Sequence, residues 1–243
     1  MEKDNSKLIW PKCGNYVSPE NIFYGKCGVS ITSSTEPPQT ITANPQRNPV
    51  SASSIVYLFA DQFVEKPLLG GEKVPCTDKK IKKNRLVETL YATAFIWLEE
   101  KKFVTLNPGK RKKWLGIRNP AAVIVARREQ PFQLGPNSLE SRIWSRMTGK
   151  DNARDLTYKA IGIYSTDVNG NIIKHVTRYL HETGYFRAEK RLKIFTKYIP
   201  DCEKIAGLRR YIEETVSMIS SFRGRKEHVY LQLLKDVKDA INQ

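Results

Sequence analysis

Cysteine, histidine and acidic side chains are all scarce in this chain of 243 residues. Its four cysteines, Cys13, Cys27, Cys76 and Cys202, are too few and too widely spaced for the disulfide framework of a small secreted domain. Cys76 and Cys202 have no signature neighbours and read as idle or buried thiols. Of the 3 histidines, His175 and His181 stand six apart on what reads as one helix, so they face different ways and cannot share a metal. No glycine-rich phosphate loop occurs; Gly70-Gly71 reads as a turn. Asp167, Asn169 and Asn171 alternate as at the opening of a calcium loop, but Arg178 stands where the closing glutamate belongs, which excludes calcium. With these constellations missing, the chain is expected not to be an enzyme. Long apolar runs are missing too. Ala121 to Ala126 is far too short to cross a bilayer, and the charges of Met1 to Ser6 have no apolar stretch behind them. The expectation is a cytoplasmic protein with no transmembrane segment, peripheral at a membrane if it meets one.

Positive charge, by contrast, is abundant. There are 41 Lys and Arg against 25 Asp and Glu, a formal net charge of +16. Such an excess attracts polyanions: anionic membrane surfaces, nucleic acid or acidic proteins. The chain is 40% hydrophobic, which supports a packed core and argues against general disorder.

Three zones follow one another. Residues 8–31 are rich in glycine, cysteine and aromatics. Residues 32–54 hold Pro37, Pro38, Pro45 and Pro49 among Ser, Thr and Asn, and read as an extended linker. From residue 55 to 243 the apolar periodicity predicts one domain, mainly α with short β-hairpins. Leu86, Leu90, Ala94 and Trp97 predict a helix over 83–101, and Phe103 to Leu106 a strand. Asn107-Pro108-Gly109 reads as a turn, with strand-like runs at 114–117 and 122–126. A short helix follows Asn137-Ser138 and stops at Gly149. Ile172 to Thr183 reads as an amphipathic helix stopped by Gly184, followed by a short hairpin. Two helices close the chain, over 202–221, capped by Asp201, and over 226–241. A loose echo runs through this domain: helix, aromatic strand and basic turn occur at 86–117 and again at 172–198.

Trp10-Pro11-Lys12-Cys13-Gly14, ten residues, then Tyr24-Gly25-Lys26-Cys27-Gly28 resembles the double-knuckle zinc ribbon. Each knuckle of that family carries Cys-x-x-Cys-Gly, and four thiolates close a tetrahedron around zinc. In this chain Trp10 and Tyr24 replace the first cysteine of each knuckle. Cys13 and Cys27 alone leave the metal site incomplete. Three readings stay open: a metal-free ribbon packed around the aromatic pair, a four-sulfur zinc site completed by a second chain, or a frayed segment. No cofactor is expected unless that second chain supplies the missing ligands. The ribbon could also recruit a protein partner.

Trp97 to Leu106, Val176 to Lys190 and the Ser138 to Lys150 segment between them resemble the Golgi phosphoprotein family. That resemblance implies a peripheral membrane adaptor that binds phosphoinositide headgroups. In the family, two arginines one helical turn apart contact phosphate, helped by a tryptophan from an early loop. Here residues 169–175 hold no arginine pair, and 55–75 no tryptophan. What carries over is a basic surface for phosphate, with Lys174 and Arg178 as its helical candidates, and no named headgroup.

Four basic clusters could meet a polyanion: Lys79 to Arg85, Lys110 to Lys113 beside Trp114, Arg187 to Lys193, and Arg209 to Lys226. The expected phosphate contacts are Lys110, Arg111, Lys112, Lys113 and Trp114 at a hairpin tip, Lys174 and Arg178 on the helix, and Arg187, Lys190 and Arg191 on the second hairpin. The expected function is a binding or adaptor protein that meets anionic phosphate groups, foremost those of membrane lipids. A helix followed by a basic hairpin also fits a winged-helix nucleic-acid binder, and a protein-interaction scaffold is the third reading.

Overall fold

Ser51 starts the helical part of the molecule. Its side chain accepts from the Ser54 N–H and caps α1, Ala52–Leu58, every residue of which is buried. The computed structural model describes residues 50–67, 70–111, 120–128, 137–162, 167–191 and 195–242, plus four short strands nearer the N-terminus. Two compact units divide the chain, Met1–Arg47 and Asn48–Gln243. The second begins earlier than residue 55, because α1 draws Ala52, Ser53 and Ser54 out of the linker tract and into the core.

In the first unit, β1 (Leu8–Ile9) pairs antiparallel with β2 (Tyr16–Val17), and β3 (Phe23–Tyr24) with β4 (Val29–Ser30). Cys13 and Cys27, expected from the sequence as an incomplete metal site, lie outside the described residues.

The second unit is mainly α with small antiparallel sheets. After α1 comes a 3-10 turn, Ala60–Gln62, then a hairpin of β5 (Glu72–Lys73) and β6 (Lys80–Ile81). Helix α2, Lys83–Glu100, buries the predicted Leu86, Leu90 and Ala94 but also Glu88, Ala92, Thr93 and Ile96, so it is enclosed on most sides, and Trp97 is half-buried. Strands β7 (Val104–Lys110), β8 (Ala121–Arg127) and β9 (Lys150–Asn152) form one sheet in the order β7-β8-β9. Helix α3 (Leu139–Ser145), capped by Ser138, lies between β8 and β9 in the chain. Helices α4 (Ala153–Ile161) and α5 (Val168–Glu182) follow, then the hairpin β10 (Phe186–Arg191) and β11 (Phe195–Pro200). Helices α6 (Cys202–Ala206), α7 (Arg210–Arg225) and α8 (Glu227–Ile241) close the chain. The predicted helix over 202–221 is therefore two, broken at residues 207–209, while Asp201 caps the first by accepting from the Lys204 N–H.

The echo between the two halves is present in the backbone. α2 and α5 each end in a Schellman turn that delivers the chain into a hairpin. Tyr185 and Gly184 donate to Leu180 and His181 at the end of α5, as Phe103 and Lys102 do to Leu98 and Glu99 at the end of α2. Gly184 takes the left-handed position with φ 81°, and Lys102 takes it with φ 62°.

Asn107-Pro108-Gly109 is not a turn. It runs through β7, with Pro108 opposite Val123. The reason lies at the sheet edge. Two residues before Pro108, Leu106 sends its N–H to Glu99 and receives Lys226 Nζ at 2.9 Å on its carbonyl, so both groups face away from β8. Pro108 takes the next position on that outward edge, where a missing N–H breaks no ladder bond.

Helix α8 finishes the other edge. Beyond the end of the short β9, Val123 N–H donates to Asp236 at 2.7 Å, and Gln232 Nε2 donates to the Ala121 carbonyl at 3.1 Å and to Asp236 at 2.8 Å. One helical turn thus does the work of a missing strand. Asp236→Ala leaves the Val123 N–H buried and unsatisfied, at about 1–3 kcal/mol. A urea titration is expected to show the midpoint fall with the slope unchanged.

Cys76 and Cys202, expected as idle thiols, are joined in a disulfide with a Cα–Cα distance of 5.5 Å. They are 126 residues apart, so nothing in their spacing announced the pair; the packing of α6 beside the β5–β6 connection creates it. Most cytosols keep thiols reduced, so this pairing bears directly on the expected cytoplasmic setting. Among the described residues, no helix is long and apolar enough to cross a membrane.

Candidate anion-binding site

The four basic clusters fare differently in three dimensions. In the first, Lys79 pairs with Asp61, Lys82 with Glu65, Lys83 with Asp167 and Arg85 with Glu88. In the last, Arg223 pairs with Glu227, Arg225 with Glu100 and Lys226 with Glu99. Much of the positive charge read along these segments is thus met by carboxylates, some one helical turn away and others from distant parts of the fold.

Three cations, one of them paired with Glu182, converge between α3 and α5. A cavity of about 280 Å³ is lined by Arg142 from α3, Ala160 and Ile161 from the end of α4, Asn171, Lys174, His175 and Arg178 from α5, and Tyr91 from α2. Residues 171, 174, 175 and 178 follow the i, i+3, i+4, i+7 spacing of one helix face, while Ile172, Val176 and Leu180 of α5 are buried. The same amphipathic pattern that docks α5 therefore aims its polar stripe into the cavity.

Arg142 organises this site. Its Nε donates to the Ala160 carbonyl at the end of α4, and its Nη1 reaches His175 Nδ1 at 3.2 Å. A guanidinium can only donate, so His175 Nδ1 accepts and the imidazole proton sits on Nε2. Burial first, and then the Arg142 charge, hold the ring well below its usual pKa, at about 4, so it is neutral near pH 7. His175 Nε2 is buried and makes no hydrogen bond of ordinary geometry among the described residues, while the Asn137 backbone acts on the ring as an acceptor and raises its proton affinity. Arg178 is exposed and donates from Nε to Glu182 at 3.1 Å, and Asn137 Nδ2 donates to the other oxygen of that carboxylate at 2.9 Å. These bonds leave the remaining Arg178 nitrogens available. Burial raises the Tyr91 hydroxyl far above its ordinary pKa, so it stays protonated.

Of the residues expected from the sequence to touch phosphate, the fold brings Lys174 and Arg178 to this cavity. Lys110 and Arg111 close the β7–β8 hairpin, where the Arg111 N–H bonds the Pro120 carbonyl. They line a separate, open trough of about 850 Å³ with Lys150, Asp151 and Asp155, a surface of mixed charge. Lys112, Lys113 and Trp114 lie outside the described residues. Arg187 pairs with Asp201 at 3.2 Å. Lys190 and Arg191 are placed in β10 opposite Thr196 and Phe195, with side chains outside the described residues.

Arg142 and His175 were not among the expected contacts. Arg142 sits between Leu139 and Ile143 on a short helix with nothing local to mark it, and His175 gains its role only from Arg142, 33 residues away. His181, on a different face as its spacing required, bonds the Phe186 carbonyl through Nδ1 at 2.9 Å. Among the described residues, no group of three or more His, Cys, Asp or Glu could hold a metal ion. No family model, curated protein or solved structure matches this chain.

Proposed function

We propose that the α3–α5 cavity binds a phosphate group and that the protein is a non-enzymatic binding or adaptor module, peripheral at an anionic membrane surface. The observation that carries this reading is the convergence of Arg142, Lys174 and Arg178 on a cavity whose lining, among the described residues, includes no carboxylate, Glu182 pairing with Arg178 from outside it. Phosphate oxygens accept charge-assisted bonds from such groups, and a guanidinium suits their geometry. The neutral His175 holds Arg142 in place and imposes no further charge on the free protein. Binding is favoured over turnover because the cavity offers donors without a nucleophile or base: His175 Nδ1 is already occupied by Arg142, and its other nitrogen carries a proton. The net charge of +16 adds long-range attraction to an anionic surface. The resemblance of α5 and its hairpin to the Golgi phosphoprotein family points the same way.

Co-sedimentation with vesicles tests this. The protein is expected to pellet with vesicles that carry a phosphomonoester headgroup, to remain in the supernatant with purely neutral vesicles, and to dissociate steeply as salt is raised. Equal sedimentation with both kinds of vesicle would overturn the reading. One observation favours a nucleic-acid reading instead, namely that α2 and α5 each lead into a hairpin, as in a winged helix. A mobility shift at physiological salt, without vesicle binding, would select it.

A further inference from the structure

We propose that the Cys76–Cys202 bridge is a reducible latch whose opening frees two surface segments of the helical unit without unfolding its core. Both cysteines are exposed, so a small dithiol can reach them. Cys76 lies in the β5–β6 connection with φ 59°, a left-handed conformation that few side chains other than glycine adopt. That hairpin holds only two residue pairs, Glu72 with Ile81 and Lys73 with Lys80. On the other side of the bridge, Cys202 opens α6, a helix of 5 residues. Two weakly self-supporting elements are thus tied to each other covalently.

Each element also keeps its own anchors in the core. Val74 and Ile81 hold the hairpin side, both buried, and Ile205 and Leu208 hold the α6 side. Polar contacts do the same. Lys79 pairs with Asp61, the Asp201 N–H bonds the Tyr185 carbonyl at 2.9 Å, and Lys204 Nζ bonds the Gly184 carbonyl at 3.1 Å. Breaking the bridge removes none of these. What it removes is the cross-link over 126 residues, which restricts the unfolded chain and local opening alike.

The step balances with an external dithiol as reductant. One of its thiolates attacks a bridge sulfur and expels the other as a protein thiolate, which takes a proton. Its second thiolate then resolves the mixed disulfide. Two electrons pass to the bridge, leaving the Cys76 and Cys202 thiols and one oxidised dithiol.

The test equilibrates the full-length chain across dithiol redox buffers, quenches by alkylation and maps the peptides, which separates Cys76 and Cys202 from Cys13 and Cys27. The expected result is a single two-electron transition at the 76–202 pair. The reduced form keeps its far-ultraviolet circular dichroism, exchanges amide hydrogens faster at 72–81 and 201–208 but not in α2 or β7–β8, and melts several degrees lower. C76S/C202S reproduces the reduced state. Three results would each overturn the proposal: Cys76 and Cys202 alkylate freely in the most oxidising buffer; the bridge resists reductant until the protein is denatured; or reduction melts the whole unit.

Discussion

Glu140→Ala is expected to lower the stability of the helical unit by about 3 kcal/mol, read as a fall in the denaturant midpoint. Glu140 lies in the first turn of α3 and is fully buried. Its two oxygens accept from the Ser53 N–H at 2.9 Å and the Ser53 hydroxyl at 3.0 Å, so it completes the N-terminus of α1 from 87 residues away. Alanine leaves the Ser53 N–H without an acceptor, leaves the Ser53 hydroxyl only Ser51 Oγ at 3.1 Å, and opens a void beneath them. Glu140→Gln keeps one acceptor oxygen and is expected to cost less. The pH dependence separates the two effects. Burial raises the Glu140 carboxyl above its ordinary 4.5, outweighing the bonds from Ser53 that lower it. A raised carboxyl holds its proton more tightly folded than unfolded. Its contribution is therefore most favourable below pH 4.5 and is lost as pH rises through the folded value. Relative to wild type, Glu140→Gln should lose that slope, so the stability difference between the two narrows as pH rises.

The second large effect concerns the cavity. Reversing the charge of Lys174 and Arg178 together is expected to weaken phosphate binding roughly a hundredfold, about tenfold for each charge-assisted contact removed. Both side chains are exposed, and neither is buried support for α5. K174E/R178E should therefore lower the melting temperature only slightly, through the lost exposed Arg178–Glu182 pair, which distinguishes loss of a ligand contact from loss of fold. As a control, reversing Lys79 and Lys82, which already face Asp61 and Glu65, should change vesicle binding only through the net charge. Equal losses from both double variants would reduce the effect to bulk electrostatics.

Much of the frame was legible in the sequence. The spacing of Leu86, Leu90 and Ala94 announced α2 as a helix, though not that it is enclosed on most sides, and the sequence around Gly184 marked where α5 stops, because these are local properties of period and backbone conformation. Long-range partners were not legible. Pro108 read as a turn because its neighbours are turn residues, yet the outward edge of β7 tolerates it. Lys79, Lys82 and Arg85 read as one basic patch, but their carboxylate partners come partly from distant positions. Cys76 and Cys202 carried no signal of pairing, and Arg142 none of reaching His175. In each case the sequence determines residue chemistry, while the fold determines which opposite chemistry meets it.

Histidine nitrogen resonances give the most direct test that the cavity takes phosphate. In a titration of the full-length protein with inorganic phosphate near neutral pH, the His175 ring nitrogens are expected to shift saturably as phosphate engages the Arg142 guanidinium that bonds Nδ1. His181, already bonded to the Phe186 carbonyl, should stay still, and K174E/R178E should abolish the His175 response. A His175 resonance that does not move while the protein still binds phosphate-bearing vesicles would place the phosphate elsewhere and contradict the account.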